Sequence, residues 1–324
     1  MTDLDASDFV TSAPRGRRRA PWKAVISIAG LVGLAVAAYT TVGDARDLEL
    51  PGSSALVGAL ALHLVALWLA GRGWVELFPP DADRATLRSG LYMSQLTKYL
   101  PAGGFVQVAS QVALSGTRGG LAEAAIRLPV YLLSFIIAAL SVGALAVLNG
   151  DLSAIERGFA ALCLLAVVAL DRRMLAWLLH NARRIVKRLP EPDHLPPQRA
   201  ILRCYLYGLG NMAAYSGAFV LLLGDITDIG PVVTAAALSL GWAAGFFVFF
   251  IPSGLVIREA VILAAVPSLA AAPLLAASVA HRLAGLFAEA TMAGGARVRA
   301  VLRGRTRPVD ANPDRSGPAP GSTG

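Results

Sequence analysis

The sequence predicts an all-α integral membrane protein, built as an inverted repeat of about three spans and one broken re-entrant hairpin in each half. Three observations carry this. First, 56% of the 324 residues are apolar and only 15% are charged, against roughly 45–50% and 25% in soluble domains. Second, six to eight apolar segments follow one another, most of them long enough to cross about 30 Å of hydrocarbon. Third, two of these segments are interrupted by Pro and Gly at their centres. No polar stretch is long enough for a separate soluble domain, which excludes a cytosolic enzyme carried on a membrane anchor.

Residues 1–22 are polar, with Arg15, Arg17, Arg18 and Arg19 clustered before Pro21. They read as a disordered basic cytoplasmic arm. The membrane domain follows at 23–300, with repeat A at 23–148 and repeat B at 153–296. Its first apolar run is Ala24–Val42. A signal peptide competes for this segment, but the run is long for one. Ser53–Ala70 is the second span. Ser89–Leu114 is long enough for a third, yet it carries Ser94, Gln95, Thr97, Lys98, Gln107, Ser110 and Gln111 and is broken at Pro101-Ala102-Gly103-Gly104. Polar side chains and a free turn are not tolerated against lipid, so two half-helices meeting at Pro101–Gly104 are expected. Leu128–Leu148 completes repeat A, with Glu123 and Arg127 at its start.

Repeat B opens with Ala154–Leu170. A basic amphipathic insert at 172–189 follows. Leu175, Leu178, Ile185 and Leu189 share one helical face there, and Arg172, Arg173, Arg183, Arg184, Lys187 and Arg188 surround them. Such a helix lies on an anionic inner leaflet. Cys204–Leu223 is the next span. Val232–Val266 is then broken at Pro252-Ser253-Gly254, and Ala271–Ala296 is the last span. Residues 303–324 are rich in Gly, Pro and Arg and are expected to be a disordered cytoplasmic tail.

Net charge is +8. Aromatic-interleaved basic patches for nucleic acid are not visible, so the surplus is assigned to cytoplasmic loops. With the first hairpin returning to its own side, segments 1–23, 71–88, 115–120, 171–203 and 297–324 hold 23 of the 29 Lys and Arg. The outside loops 43–52, 149–153 and 224–230 hold only Arg46. Both termini are therefore expected in the cytoplasm. Cys163 and Cys204 lie in or beside apolar runs and are expected to be buried structural thiols.

Candidate chemistry sits at the two breaks. Free N–H groups at half-helix N-termini attract anions, and Gly103 and Gly104 allow a close backbone approach. Lys98, Arg127, Arg258 and Arg282 add cationic groups suited to a phosphate. The expected binding set is Lys98, Pro101, Gly103, Gly104, Arg127, Pro252, Gly254, Arg258, Glu259 and Arg282. Each charge also has a plainer reading. Lys98 would snorkel, Arg127 would pair with Glu123 at a helix end, and Glu259 or Glu289 would neutralise Arg258, Glu259 being the weaker partner because neighbours diverge on a helix. A lone His281 beside Arg282 is more often packed than a proton relay. Paired carboxylates, a nucleophile elbow, a phosphate loop, HExxH and CxxC do not occur, so no enzyme chemistry, cofactor or metal is expected.

Lys98-Tyr99-Leu100-Pro101-Ala102-Gly103-Gly104 resembles the K-Y-L-P-G-G segment of the lysylphosphatidylglycerol synthase transmembrane-domain family, also called flippase-like. Ile251-Pro252-Ser253-Gly254-Leu255-Val256-Ile257-Arg258-Glu259 is similar to that family's second motif, roughly P-x-G-x-G-x-R-E. The resemblance covers about residues 20–300. Ala102 in place of the first Gly, and the missing later Gly, depart from it. It implies a bacterial inner-membrane protein whose ligand is a phospholipid or a polyprenyl-phosphate-linked lipid. The soluble aminoacyltransferase domain of bifunctional members is not matched, so lipid synthesis is not carried over. A membrane scaffold serving a glycosyltransferase or lipid-modifying enzyme is the alternative.

Overall fold

The computed structural model describes residues 49–98, 103–115, 120–147, 154–185, 195–247 and 255–305. Among them the chain is helical throughout. The first expected span, the N-terminal arm, most of the C-terminal tail and the two breaks at Pro101 and Pro252–Gly254 lie outside the described residues.

The described residues form ten α-helices in order: α1 (Ser53–Glu76), α2 (Arg84–Thr97), α3 (Gly103–Leu114), α4 (Gly120–Val147), α5 (Ala154–Leu165), α6 (Arg172–Ile185), α7 (Gln198–Gly224), α8 (Pro231–Phe247), α9 (Leu255–Ala265) and α10 (Ala271–Arg305). Among the described residues four stretches are long and apolar enough to cross a membrane: Ser53–Glu76, Glu123–Leu145, Gln198–Gly224 and Ala271–Arg299. The described part is thus all-α, as expected of an all-α membrane protein.

Several boundaries differ from expectation. The span expected over 53–70 runs on to Glu76, and the one expected from Cys204 starts at Gln198. Helical geometry persists into the polar flank because buried Trp74, Val75 and Ile201 pack there. The tail expected from residue 303 is helical to Arg305. The expected span at 154–170 is a twelve-residue helix continued by a 3₁₀ segment, Ala166–Leu170. The tighter winding rises about 2.0 Å per residue against 1.5 Å, so the two pieces together reach about 28 Å.

At the centre of the bundle α1 and α7 pack along their length. Ala55, Ala59, His63, Ala66 and Ala70 are buried on α1 at 4-4-3-4 spacing, one inward stripe. Small side chains let helix backbones approach, which is how membrane helices gain packing energy. Asn211 donates to the Ala66 carbonyl at 2.7 Å and ties the pair together.

Two apolar cores flank this centre. One gathers Trp74, Leu77, Phe78, Leu91, Tyr131, Phe135 and Ile201. Trp74 meets Phe78 and Tyr131 edge-on, at ring separations of 4.8 and 5.4 Å. The other gathers Ala59, Phe219, Leu222, Leu238, Ile262, Leu274 and Ala277.

The helical pairs on either side of each break pack against each other. In α2 and α3 the polar residues that argued against a lipid-facing helix satisfy one another. Thr97 and Ser110 hydroxyls stand 3.0 Å apart, and the Gln107 amide donates to Gln95 at 3.1 Å. Gly90 is required here, because a Cβ at that position would lie 2.6 Å from the Leu114 carbonyl oxygen. Asp83 caps α2, accepting from the N–H groups of Ala85 and Thr86. In α8 and α9 the packed residues include Leu238 and Ile262.

The two ends of the bundle differ in charge. Arg203 pairs with Glu76 at 3.4 Å, and the Arg172 N–H donates to Gln198, so α1, α6 and α7 meet at one end. Arg72, Glu76, Arg84 and Arg88 line a shallow groove there. At the other end the Gly52 N–H donates to Asp225 at 2.6 Å. The described connecting residues at that end, 49–52, 225–230 and 266–270, contain no Lys or Arg. On α6, Met174, Trp177 and Leu178 are exposed beside Arg172 and Arg173, while Leu175 is buried. Leu175, one of the four residues of the expected apolar face, packs into the nearer core, and the side chains of Ile185 and Leu189 lie outside the described residues.

Candidate functional site

A polar layer separates the two apolar cores. It is built from the middles of α1, α7 and α10, the first turns of α9 and the end of α2. His63 lies about 15 Å from the start of α1, and His281 about 15 Å from the start of α10, at 1.5 Å per residue. Each distance is half of a hydrocarbon thickness of about 30 Å.

Arg258 and Glu259 occupy the opening turns of α9. Arg258 donates to Glu259 Oε1 through Nε at 3.0 Å and Nη2 at 2.5 Å. Arg282, on α10, donates to the same oxygen at 3.1 Å. Two guanidinium groups therefore converge on one carboxylate oxygen. Glu259 was expected to be the weaker partner because adjacent residues diverge on a helix. The structure corrects this: the long Arg258 side chain folds back across the helix turn to reach its neighbour. Arg258 is buried, whereas the Arg282 side chain is 25% exposed. Arg282 is flanked on α10 by exposed Val279, Leu283 and Leu286, so it stands at the edge of an apolar outer face.

The ammonium of Lys98 donates to the Glu289 carboxylate on α10. Lys98 is thus held inward by a salt bridge and does not snorkel. Its partner Glu289 is buried.

Between the ion pairs lies an aromatic group. The His63 and His281 rings are 4.4 Å apart, and Tyr215 meets both edge-on at 5.3 and 4.6 Å. Phe219 closes the far side of His281 at 5.4 Å. His281 Nε2 lies 3.1 Å from the Tyr215 carbonyl oxygen. A carbonyl only accepts, so Nε2 carries the hydrogen and Nδ1 is the bare nitrogen. Lys98 and Arg258 stand within electrostatic reach of His63. Arg258 and Arg282 stand within reach of His281.

The layer is short of partners. Eight buried side-chain N or O atoms among the described residues make no hydrogen bond, and five belong here: His63 Nε2, Glu259 Oε2, Ser278 Oγ, His281 Nδ1 and Glu289 Oε2. Each such atom costs about 1–3 kcal/mol if left dry. Their concentration in one layer marks a place built to hold water, protons or a polar ligand.

Of the expected site residues, Lys98, Arg258, Glu259 and Arg282 come together in this layer. Arg127 has its own partners. It pairs with Glu123 at 2.6 Å, donates from Nε to the Leu77 carbonyl at 2.6 Å, and stacks 4.9 Å from the Phe78 ring. These contacts tie it to the basic end of α1. Gly103 and Gly104 open α3. Pro101, Pro252 and Gly254 fall outside the described residues. Sequence reasoning passed over His63 and Tyr215 and did not pair Glu289 with Lys98. An ionisable residue inside the Ser53–Ala70 run was the available signal for His63. Cys163 and Cys204 are free and buried, as expected. Among known proteins, no family model matches the chain and no curated protein is similar to it.

Proposed function

We propose that the chain is a flippase-like bacterial inner-membrane protein that binds the anionic headgroup of a phospholipid or polyprenyl-phosphate lipid in the polar layer. One observation carries this reading: Arg258 and Arg282 converge on Glu259 from two helices, with Arg282 beside exposed Val279, Leu283 and Leu286. Intramembrane arginines are expensive and mark ligand paths. Guanidinium groups suit phosphate oxygens through paired donors. A headgroup enters beside Arg282 while its tails stay in lipid, and its oxygens exchange for part of the Glu259 contact. The resemblance at Lys98–Gly104 and Ile251–Glu259 points the same way.

The same reading takes the chain as an inverted repeat with two re-entrant hairpins, because discontinuous helices meeting at mid-membrane are a transporter device. The helix pairings are consistent with it. The α1–α10, α1–α2 and α2–α10 contacts have counterparts in α7–α4, α7–α8 and α8–α4, and α2–α3 corresponds to α8–α9. Under this exchange Arg127 is not the mate of Arg282. His63 packs near His281 and Gly285, and on the other side Gly208 faces Phe135 and Ala138. The position equivalent to Arg282 thus falls near Phe135. The phosphate site therefore rests on Arg258 and Arg282, without Arg127. On this reading the basic end of the bundle is the cytoplasmic one, with both termini on that side.

Native mass spectrometry of the purified protein beside Arg282→Ala tests the reading. The expected result is a selective anionic lipid on the wild type that is lost in the variant. Equal lipid retention by both proteins removes Arg282 from the site, and no selective lipid on either sinks the reading.

A further inference from the structure

Two of the four histidines in the chain, His63 and His281, meet between the two apolar cores with their rings 4.4 Å apart. The headgroup reading makes no use of them. Each presents one buried nitrogen without a partner, Nε2 of His63 and Nδ1 of His281. Because His281 Nε2 donates to the Tyr215 carbonyl, its Nδ1 is a lone pair free to accept a proton.

Every element packed on the pair brings a titratable or charged group. These are Lys98 at the end of α2, Tyr215 on α7, Arg258 and Glu259 on α9, and Arg282 and Glu289 on α10. Three of these are cations and two are carboxylates, each carboxylate with one buried oxygen unbonded. Arg258 and Arg282 are also the groups assigned to the headgroup. An anion placed on them and a proton placed on the imidazoles attract one another across a few ångströms of low dielectric. Binding of either then raises affinity for the other by the same factor.

We infer that the His63–His281 pair is a proton site, and that one proton is taken up from water when an anionic headgroup binds at Arg258 and Arg282. The proton lands on one of the bare imidazole nitrogens and is released when the anion leaves. Ligand and proton thus occupy the layer together, so a proton gradient can drive or bias headgroup movement. This inference rests on the headgroup reading.

The test uses the full-length protein in detergent with two probes whose charge is fixed in the relevant range. Dioctanoyl phosphatidylglycerol supplies a lipid headgroup, and sulfate supplies a free oxyanion. Proton uptake is followed with an indicator dye in weakly buffered solution, and affinity is measured between about pH 8 and pH 6, where imidazoles titrate. The expected result is close to one proton taken up per lipid probe bound, with affinity tightening by up to about tenfold per pH unit as pH falls. His63→Gln and His281→Gln bind with affinity that no longer follows pH. If His281→Gln does not fold, the wild-type series and His63→Gln decide. Lipid binding without proton uptake overturns the proton site and leaves the headgroup reading standing. Uptake that persists in the folded His variants also overturns it. Uptake with sulfate alone supports the proton site and overturns the lipid assignment. No binding of either probe overturns both.

Discussion

Single side chains at the middle of this bundle carry unequal loads. Glu259 is an acceptor shared by Arg258 and Arg282. Removing one partner of a buried ion pair costs about 3–5 kcal/mol, because the remaining charge is stranded. Glu259→Ala is therefore expected to lower the thermal midpoint in detergent sharply. Arg282→Ala, partly exposed and leaving the Arg258–Glu259 bond in place, is expected to lower it much less. Equal losses in scanning calorimetry would show that Glu259 does not organise the layer. At this scale the sequence revealed charge but not pairing. Arg258, Glu259 and Arg282 were visible as intramembrane charges. Lys98–Glu289 was hidden, because 191 positions separate the partners and only the packing of α2 on α10 brings them together. His63 was hidden by its surroundings, since one polar residue barely disturbs an apolar stripe.

Helix packing turns on small residues at crossing points. Gly90 sits where a Cβ would meet the Leu114 carbonyl carbon at 2.8 Å and its oxygen closer still. Gly90→Ala must push α2 and α3 apart, at a cost of about 1–3 kcal/mol. Gly294 on α10 has no neighbour within 4 Å of its would-be Cβ. Gly294→Ala is expected to stabilise by about 0.5–1 kcal/mol through helix propensity alone. Thermal melts of the two variants should shift in opposite directions, and a shared direction would contradict the close approach of α2 and α3. Helix existence was legible from apolar runs and Pro–Gly breaks. Helix ends were not, since α1 and α7 continue through polar residues that tertiary packing holds in register. The 3₁₀ stretch of Ala166–Leu170 was equally illegible, because nothing in an Ala-Val-Val-Ala-Leu run distinguishes it from α-helix.

Across the whole molecule, charge sorts the two ends. Arg297 on α10 belongs to the basic end, and Asp228 to the other. The native thiols are buried, so new cysteines will be read without background. Asp228→Cys is expected to react with an impermeant maleimide in sealed cells, and Arg297→Cys only after lysis. The reverse pattern would invert the orientation and move the basic groove to the outer face. The clustering of Lys and Arg could be counted without three-dimensional knowledge, whereas the central polar layer needed five helices placed side by side.

Helix α10 runs unbroken from Ala271 to Arg305, a length of about 52 Å. A bilayer core takes up only about 30 Å of that. What remains is a stiff mast on the basic side, rooted beside His281 and Arg282. Masts magnify. A tilt of about 10° at the level of Arg282 would sweep the Arg305 end by about 6 Å over its roughly 35 Å arm. Gly294 and Gly295, with open space around both, give that arm a compliant joint just beyond Glu289. On the proposed reading, occupancy at Arg282 would thereby become a displacement that another molecule at the basic end can feel.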